Sequence, residues 1–122
     1  MKIVKEQTVI VETAICITVF NDITLIKSLL ETIRYYTTDY PKDKFGIVIL
    51  DDGSNEEYKL GLRHIVAQNQ DWCQHLYLIE HKENQGITRS WNHLTNFYKS
   101  DYTVILNNDI LVTKLRESGW FL

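Results

Sequence analysis

A chain of 122 residues, 44% hydrophobic and 24% charged, has ordinary globular composition and length for one modest core rather than two. Its formal net charge of −3, with acids and bases interspersed, offers no basic stripe for nucleic acid and no polybasic patch for an anionic membrane. No run reaches the ~18 apolar residues of a membrane span, and the opening "MKIVKEQTVIVE" lacks the continuous apolar core of a signal peptide.

The first structured run, "AICITVF" (14–20), is uncharged and rich in β-branched residues, the pattern of a strand buried on both faces. It contains Cys16; the other cysteine, Cys73, lies in "DWCQH". With no CxxC spacing the two read as reduced and unpaired, which makes a cytoplasmic location the expectation. Asn21 or Asp22 then caps a helix whose Ile26, Leu29, Leu30 and Ile33 share one face, and the turn-rich "TTDYPKDK" with the lone proline, Pro41, ends it. A second buried run, "FGIVIL" (45–50), leads into "DDGSNEEYK", where Ser54 and Glu57 have capping-box spacing and Tyr58, Leu62, Ile65 and Val66 supply the next helix's apolar face. A third run, "HLYLIE" (75–80), precedes "NQGITRSWNHLTNFY", in which Ile87, Trp91, Leu94 and Tyr98 keep helical spacing. The fourth, "YTVIL" (102–106), ends in Asn107, Asn108 and Asp109.

Strands alternating with helices, without repeats or low-complexity segments, predict one α/β domain over 1–122, with a mostly parallel sheet and right-handed crossovers. Ligands of such sheets bind beyond the carboxyl ends of the strands. Every predicted strand here ends in polar residues.

Each of these ends has two readings. Adjacent Asp51 and Asp52 need a cation, solvent or donors nearby, or else they simply open a polar loop with Gly53 at a tight turn. Asp109 is one carboxylate for a hard divalent cation, with Asn107 and Asn108 as partners for sugar hydroxyls, or the three form an Asn-rich turn. "NQGITRSWN" opens a helix whose free N–H groups and Arg89 suit an anion, or it is an ordinary cap. The four histidines have no ligand spacing, and no GxGxxG, P-loop or GxSxG occurs. That weighs against dinucleotide oxidoreductases, P-loop NTPases and α/β-hydrolases.

Taken in order, "ITVFND", "VILDDGSNEE", "ENQGITRSWN" and "VILNNDI" resemble the nucleotide-sugar-binding half of a GT-A glycosyltransferase of family 2, over about residues 14–113. The resemblance implies a Rossmann-like GT-A nucleotide-diphospho-sugar transferase fold with helices on both faces of the sheet, cut short of its acceptor half. By the same resemblance Thr18 and Phe20 contact the base, Phe20 as a stacking surface. Asp52 accepts from the base's imide N–H, with Asp51 beside it in the motif, and Arg89 lies near the base or diphosphate. Asn108 holds ribose where many members have aspartate, and Asp109 is the metal ligand.

The implied cofactor is a divalent cation, Mn²⁺ or Mg²⁺, and the implied partner a nucleoside diphosphate sugar, whose glycosyl group goes to an unidentified acceptor by a hexosyl transfer expected to invert. The family's catalytic base belongs to the second half of the fold, so this chain, ending at Leu122, has no catalytic residue assigned. One rival is a non-catalytic nucleotide-sugar-binding or assembly module, a homo-oligomer through the sheet edge beyond the fourth strand. A phosphorylation-receiver-like domain is the other; it needs its acid pair after the first strand, whereas here the pair follows the second.

Overall fold

Residues 9–107 are described by the computed structural model. Four parallel strands form one sheet: β1 (Val9–Val19), β2 (Phe45–Asp52), β3 (His75–His81) and β4 (Tyr98–Asn107), in the order β3-β2-β1-β4. Between them run α1 (Thr24–Tyr36), α2 (Glu56–Asn69) and α3 (Ile87–Thr95). The chain steps outward from β1 to β3 and then crosses back to place β4 on the other side of β1, which makes the carboxyl end of β1 the point where strand order reverses. Such a switch point opens a crevice, because the helices to either side lie on opposite faces of the sheet.

The apolar periodicities explain the layers. Ile26, Leu29, Leu30 and Ile33 of α1 and Leu62, Ile65 and Val66 of α2 pack with Ile15, Ile17, Ile47 and Ile49 on one face. Alternate residues of the same strands, Ala14, Cys16, Val48 and Leu50, face Leu94 and Phe97 at the end of α3 and Tyr98 on the other. The Tyr98 hydroxyl lies 3.0 Å from the Ile47 carbonyl and 2.6 Å from that of His75, fastening β4 beneath β2 and β3. Both cysteines are buried and unpaired, and burial pushes each thiol up to about 12, so neither is a ready nucleophile. Among the described residues no helix is long and apolar enough to cross a membrane.

Three local expectations are corrected. β1 is longer than the expected run from Ala14, with residues from Val9 in the strand: Glu12 interrupts the apolar run without ending it, because the ladder to β4 holds its register across Glu12 (Val11↔Ser100, Thr13↔Tyr102) and the Glu12 and Thr13 N–H groups both reach the Lys44 carbonyl (2.8 and 3.1 Å). The capping box is not formed, since Asn55 precedes α2 without a side-chain cap and Ser54 is engaged elsewhere. The spacing Ile87, Trp91, Leu94 and Tyr98 does not mark one buried face: Ile87 and Trp91 are 51% and 36% exposed and Tyr98 already belongs to β4. The cap of α1 is as expected, with Asp22 accepting from Leu25 N (3.2 Å) and Ile26 N (3.0 Å).

Candidate functional site

Strand geometry separates the two aspartates. Side chains alternate across a strand, so Asp51 points to the α2 face and Asp52 to the α3 face, and their charges do not compete for one space. Asp51 is 0% exposed. Its Oδ2 receives Lys59 Nζ of α2 at 2.8 Å, and its Oδ1 receives the Ser54 N–H (3.2 Å) and the Ser54 hydroxyl. Lys59 also donates to the His81 carbonyl at 2.8 Å. Asp51, expected beside Asp52 in the nucleotide-sugar-binding motif, has no exposed surface and receives three donors, so in this fold it anchors the turn.

Asp52 faces the crevice. Its Oδ1 receives Gln85 N (2.8 Å) and His81 Nδ1 (2.9 Å), and its Oδ2 receives Gly86 N (3.2 Å), an N–H that Asn84 Oδ1 shares at 3.0 Å. Burial opposes ionisation, but the Gln85 N–H, the His81 imidazole and the Gly86 N–H outweigh it and hold the carboxyl below its ordinary range. An ionised carboxylate only accepts, so His81 Nδ1 carries the proton of that bond. The far side of the His81 ring faces His93 of α3, with Nε2 3.2 Å from His93 Nδ1 and the rings stacked at 5.4 Å.

Three loops at this end of the sheet are tied together before any ligand arrives. Asn21, at φ 49°, gives its N–H to Ser54 Oγ (2.8 Å) and accepts the Asn55 N–H on Oδ1 (2.9 Å), joining the β1–α1 loop to the β2–α2 loop. Gly53, at φ 82°, lies against the backbone of Glu83 and Asn84, where a side chain would collide. Gly86, at φ 89°, opens α3 in a conformation that L side chains rarely adopt. Together these loops border a solvent-open cavity of about 290 Å³ lined by Thr18, Val19, Phe20, Asp52, Asn84, Gly86, Ile87 and Ser90.

The structure thus brings together Thr18, Phe20 and Asp52, and leaves Phe20 half-exposed beside the cavity. Arg89 is exposed on α3 and does not line it. Asn108 and Asp109 lie outside the described residues. Among those described, no group of three or more His, Cys, Asp or Glu could hold a metal ion. Sequence reasoning missed Ser90, which is 1% exposed and whose hydroxyl has no hydrogen-bond partner, and His81, which fixes Asp52. A serine inside an amphipathic helix gives no signal by type alone.

The family model described as glycosyl transferase family 2 matches residues 14–116. The chain belongs to this family. A comparison with curated protein sequences finds no match. Among solved structures the chain is similar to the mannosyltransferase PcManGT from Pyrobaculum calidifontis in complex with GDP-Man and Mn²⁺, with a TM-score of 0.70 and 26% identity. It is also similar in fold to S. aureus TarS 1–349 in complex with UDP-GlcNAc, with a TM-score of 0.68 and 19% identity. The matches cover 82% and 80% of this chain but 28% and 26% of those chains, so it spans under a third of either relative. The GT-A, Rossmann-like α/β fold expected from the sequence is the one observed, and the cavity occupies the carboxyl edge of its sheet.

Proposed function

We propose that the chain is a nucleoside diphosphate sugar-binding domain, and that glycosyl transfer requires completion by an acceptor-binding half. The observation that carries this reading is the cavity itself, in which an ionised, pre-oriented acceptor, Asp52, stands beside the exposed ring of Phe20 and the hydroxyl-bearing Thr18. At about 290 Å³ it suits a base with part of its ribose and is small for a whole donor. Asp52 would accept an N–H from the base, Phe20 would stack on the ring, and Thr18 would bond its edge.

The diphosphate would then extend past the end of β4. There Asn108 is proposed to hold ribose and Asp109 to ligate a divalent cation bridging the phosphates, with Arg89 as a further cation outside the base cavity. A cation so placed supplies positive charge opposite the leaving diphosphate. The mannosyltransferase relative with GDP-Man and Mn²⁺ supports this for a protein of the same fold. No acid or base for transfer is assigned to this chain, and a cytoplasmic location remains a proposal.

The test is calorimetric titration of the folded chain with UDP, GDP and dTDP, in Mn²⁺ and again in EDTA. Binding lost in Asp52→Ala, and weakened by EDTA or by Asp109→Ala, is the expected result. If no nucleotide binds, the cavity is inherited scaffold. The second reading, an assembly module, would then gain from one observation: Tyr102 and Ile105 are 53% and 39% exposed on β4, a strand paired on one side only among the described residues. Gel filtration showing a dimer that Tyr102→Lys dissociates would support it.

A further inference from the structure

Resting on the nucleotide-binding reading, we infer that His93 is a positioning residue for the base cavity: it acts through His81 on Asp52 and relays solvent protons that set the charge behind that carboxylate. The contacts run without a gap. His81 Nδ1 lies 2.9 Å from Asp52 Oδ1, and His81 Nε2 lies 3.2 Å from His93 Nδ1, with the rings 5.4 Å apart and 17° from parallel. Asp52 and His81 are 7% and 8% exposed, whereas His93 stands exposed on the last turn of α3. The outer imidazole is thus the link between water and the buried pair.

Donor and acceptor rules fix the protons along this line. The ionised carboxylate only accepts, so His81 Nδ1 donates; in a neutral ring its Nε2 then accepts, and His93 Nδ1 is the donor that meets it. Both neutral rings are therefore held as Nδ1–H tautomers. When one proton is added, it enters at His93 Nε2, and the proton on His93 Nδ1 passes to His81 Nε2. The bond between the rings survives with its direction reversed, and His81 now donates at both nitrogens. A second proton would set two N–H groups head-on across the same 3.2 Å and break that bond. The relay therefore has two states, neutral and singly charged, and Asp52 Oδ1 stays engaged in both.

The charged groups around the relay come from each element packed on it. Asp52 comes from β2, Lys59 from α2 with Nζ 2.8 Å from the His81 carbonyl, and Arg89 from one turn before His93 on α3. Glu80, next to His81 on β3, is gripped by Arg63, and Lys82 and Glu83 beyond it are exposed. Asp52 stays ionised where imidazoles titrate, because its carboxyl is held below its ordinary range. An imidazolium on Oδ1 offsets part of that charge, and a hydrogen bond to a charged acceptor is roughly twice as strong as one to a neutral acceptor. A nucleobase donor on Asp52 is therefore held less tightly once the relay is protonated.

The experiment titrates the folded chain with UDP in Mn²⁺ at about pH 8 and about pH 5.5, on either side of an ordinary imidazole. It is repeated with His93→Phe, which keeps a ring and removes both nitrogens. The phosphates of UDP also take up protons in this interval, so the reading is the ratio between the two chains. Between the two pH values the unsubstituted chain should lose about three- to tenfold more affinity than His93→Phe, because without His93 Nδ1 a proton on His81 Nε2 has no acceptor. Nitrogen-15 NMR of the unliganded chain should show both imidazoles as Nδ1–H tautomers at the higher pH, and the His93 proton at Nε2 at the lower. A merely structural role for His93 would move the melting temperature of the variant, but neither the tautomers nor the pH ratio. Parallel pH profiles in the two chains, or His93 found as the Nε2–H tautomer at the higher pH, overturn the inference and leave the nucleotide-binding reading standing. A folded chain that binds UDP at neither pH overturns both.

Discussion

Replacing Lys59 by Met tests whether Asp51 is a structural anchor. Lys59 Nζ sits 2.8 Å from Asp51 Oδ2 and 2.8 Å from the His81 carbonyl, and its side chain is 9% exposed against 0% for the aspartate. Lys59→Met keeps most of the aliphatic stem but leaves a fully buried carboxylate with only Ser54 to satisfy it. Removing one partner of a buried pair costs about 3–5 kcal/mol, several times an exposed pair. Against a total stability of roughly 5–15 kcal/mol, urea denaturation followed by circular dichroism should show the midpoint falling by roughly 2 M at the usual slope. Asp51→Asn should cost a similar amount, and the double variant should recover about 2 kcal/mol relative to the sum, because the unpaired charge is then gone. Nucleotide affinity of a folded Asp51→Asn chain should stay within threefold. Single substitutions costing under about 1 kcal/mol would show that water reaches the pair and that the buried-anchor argument fails; a large loss of affinity without loss of stability would return Asp51 to the ligand.

Acid should destabilise the fold through two carboxylates. The Asp52 pKa lies below its ordinary 3.8, because the Gln85 N–H, His81 and the Gly86 N–H together outweigh its burial, and that of Glu80 lies below its ordinary 4.5 because of Arg63, which grips it at 2.6 and 2.8 Å. Both contributions are complete above these ordinary values and are lost as pH falls through the depressed native ones, where the unfolded chain binds more protons. Urea midpoints should therefore drop from pH 5 toward pH 3, with a shallower slope in Glu80→Gln; an unchanged slope in that variant would count against the assignment. Gly53→Ala should cost about 2–4 kcal/mol, combining positive φ with a collision against Glu83 and Asn84. By displacing the Gln85 and Gly86 N–H groups from Asp52 it should also weaken nucleotide binding more than tenfold, which calorimetry on the folded fraction would read.

Much of this architecture is written in local pattern. Uncharged β-branched runs and the Ile26–Ile33 face need only periodicity to be read, and their burial follows because both faces of the sheet are covered. Where the pattern misled, a tertiary partner had overridden it. Glu12 looks like the end of polar sequence, yet its backbone stays in β1 through Lys44 and its carboxylate accepts from Tyr40 Oη at 2.8 Å. Ser54 has capping-box spacing, but Asn21, 33 residues earlier, claims its oxygen. The two aspartates show the limit most plainly. Period two says that they face opposite sides, but which one is sealed depends on Lys59 reaching back from α2, and which one stays available depends on the β3–α3 loop closing over it.

A division of labour emerges from where these contacts lie. The hydrogen bonds that shape the base cavity join residues between 21 and 93: Asn21 to Ser54 and Asn55, Asp52 to His81, Gln85 and Gly86, and His81 to His93. None of these draws on β4 or on the residues beyond it. The base end is thus assembled by the β1, β2 and β3 loops, with little ordering left for the ligand to impose. The proposed phosphate end depends instead on residues from Asn107 onward. A substitution at Asp109 should accordingly lower affinity for a diphosphate without changing the preference among bases.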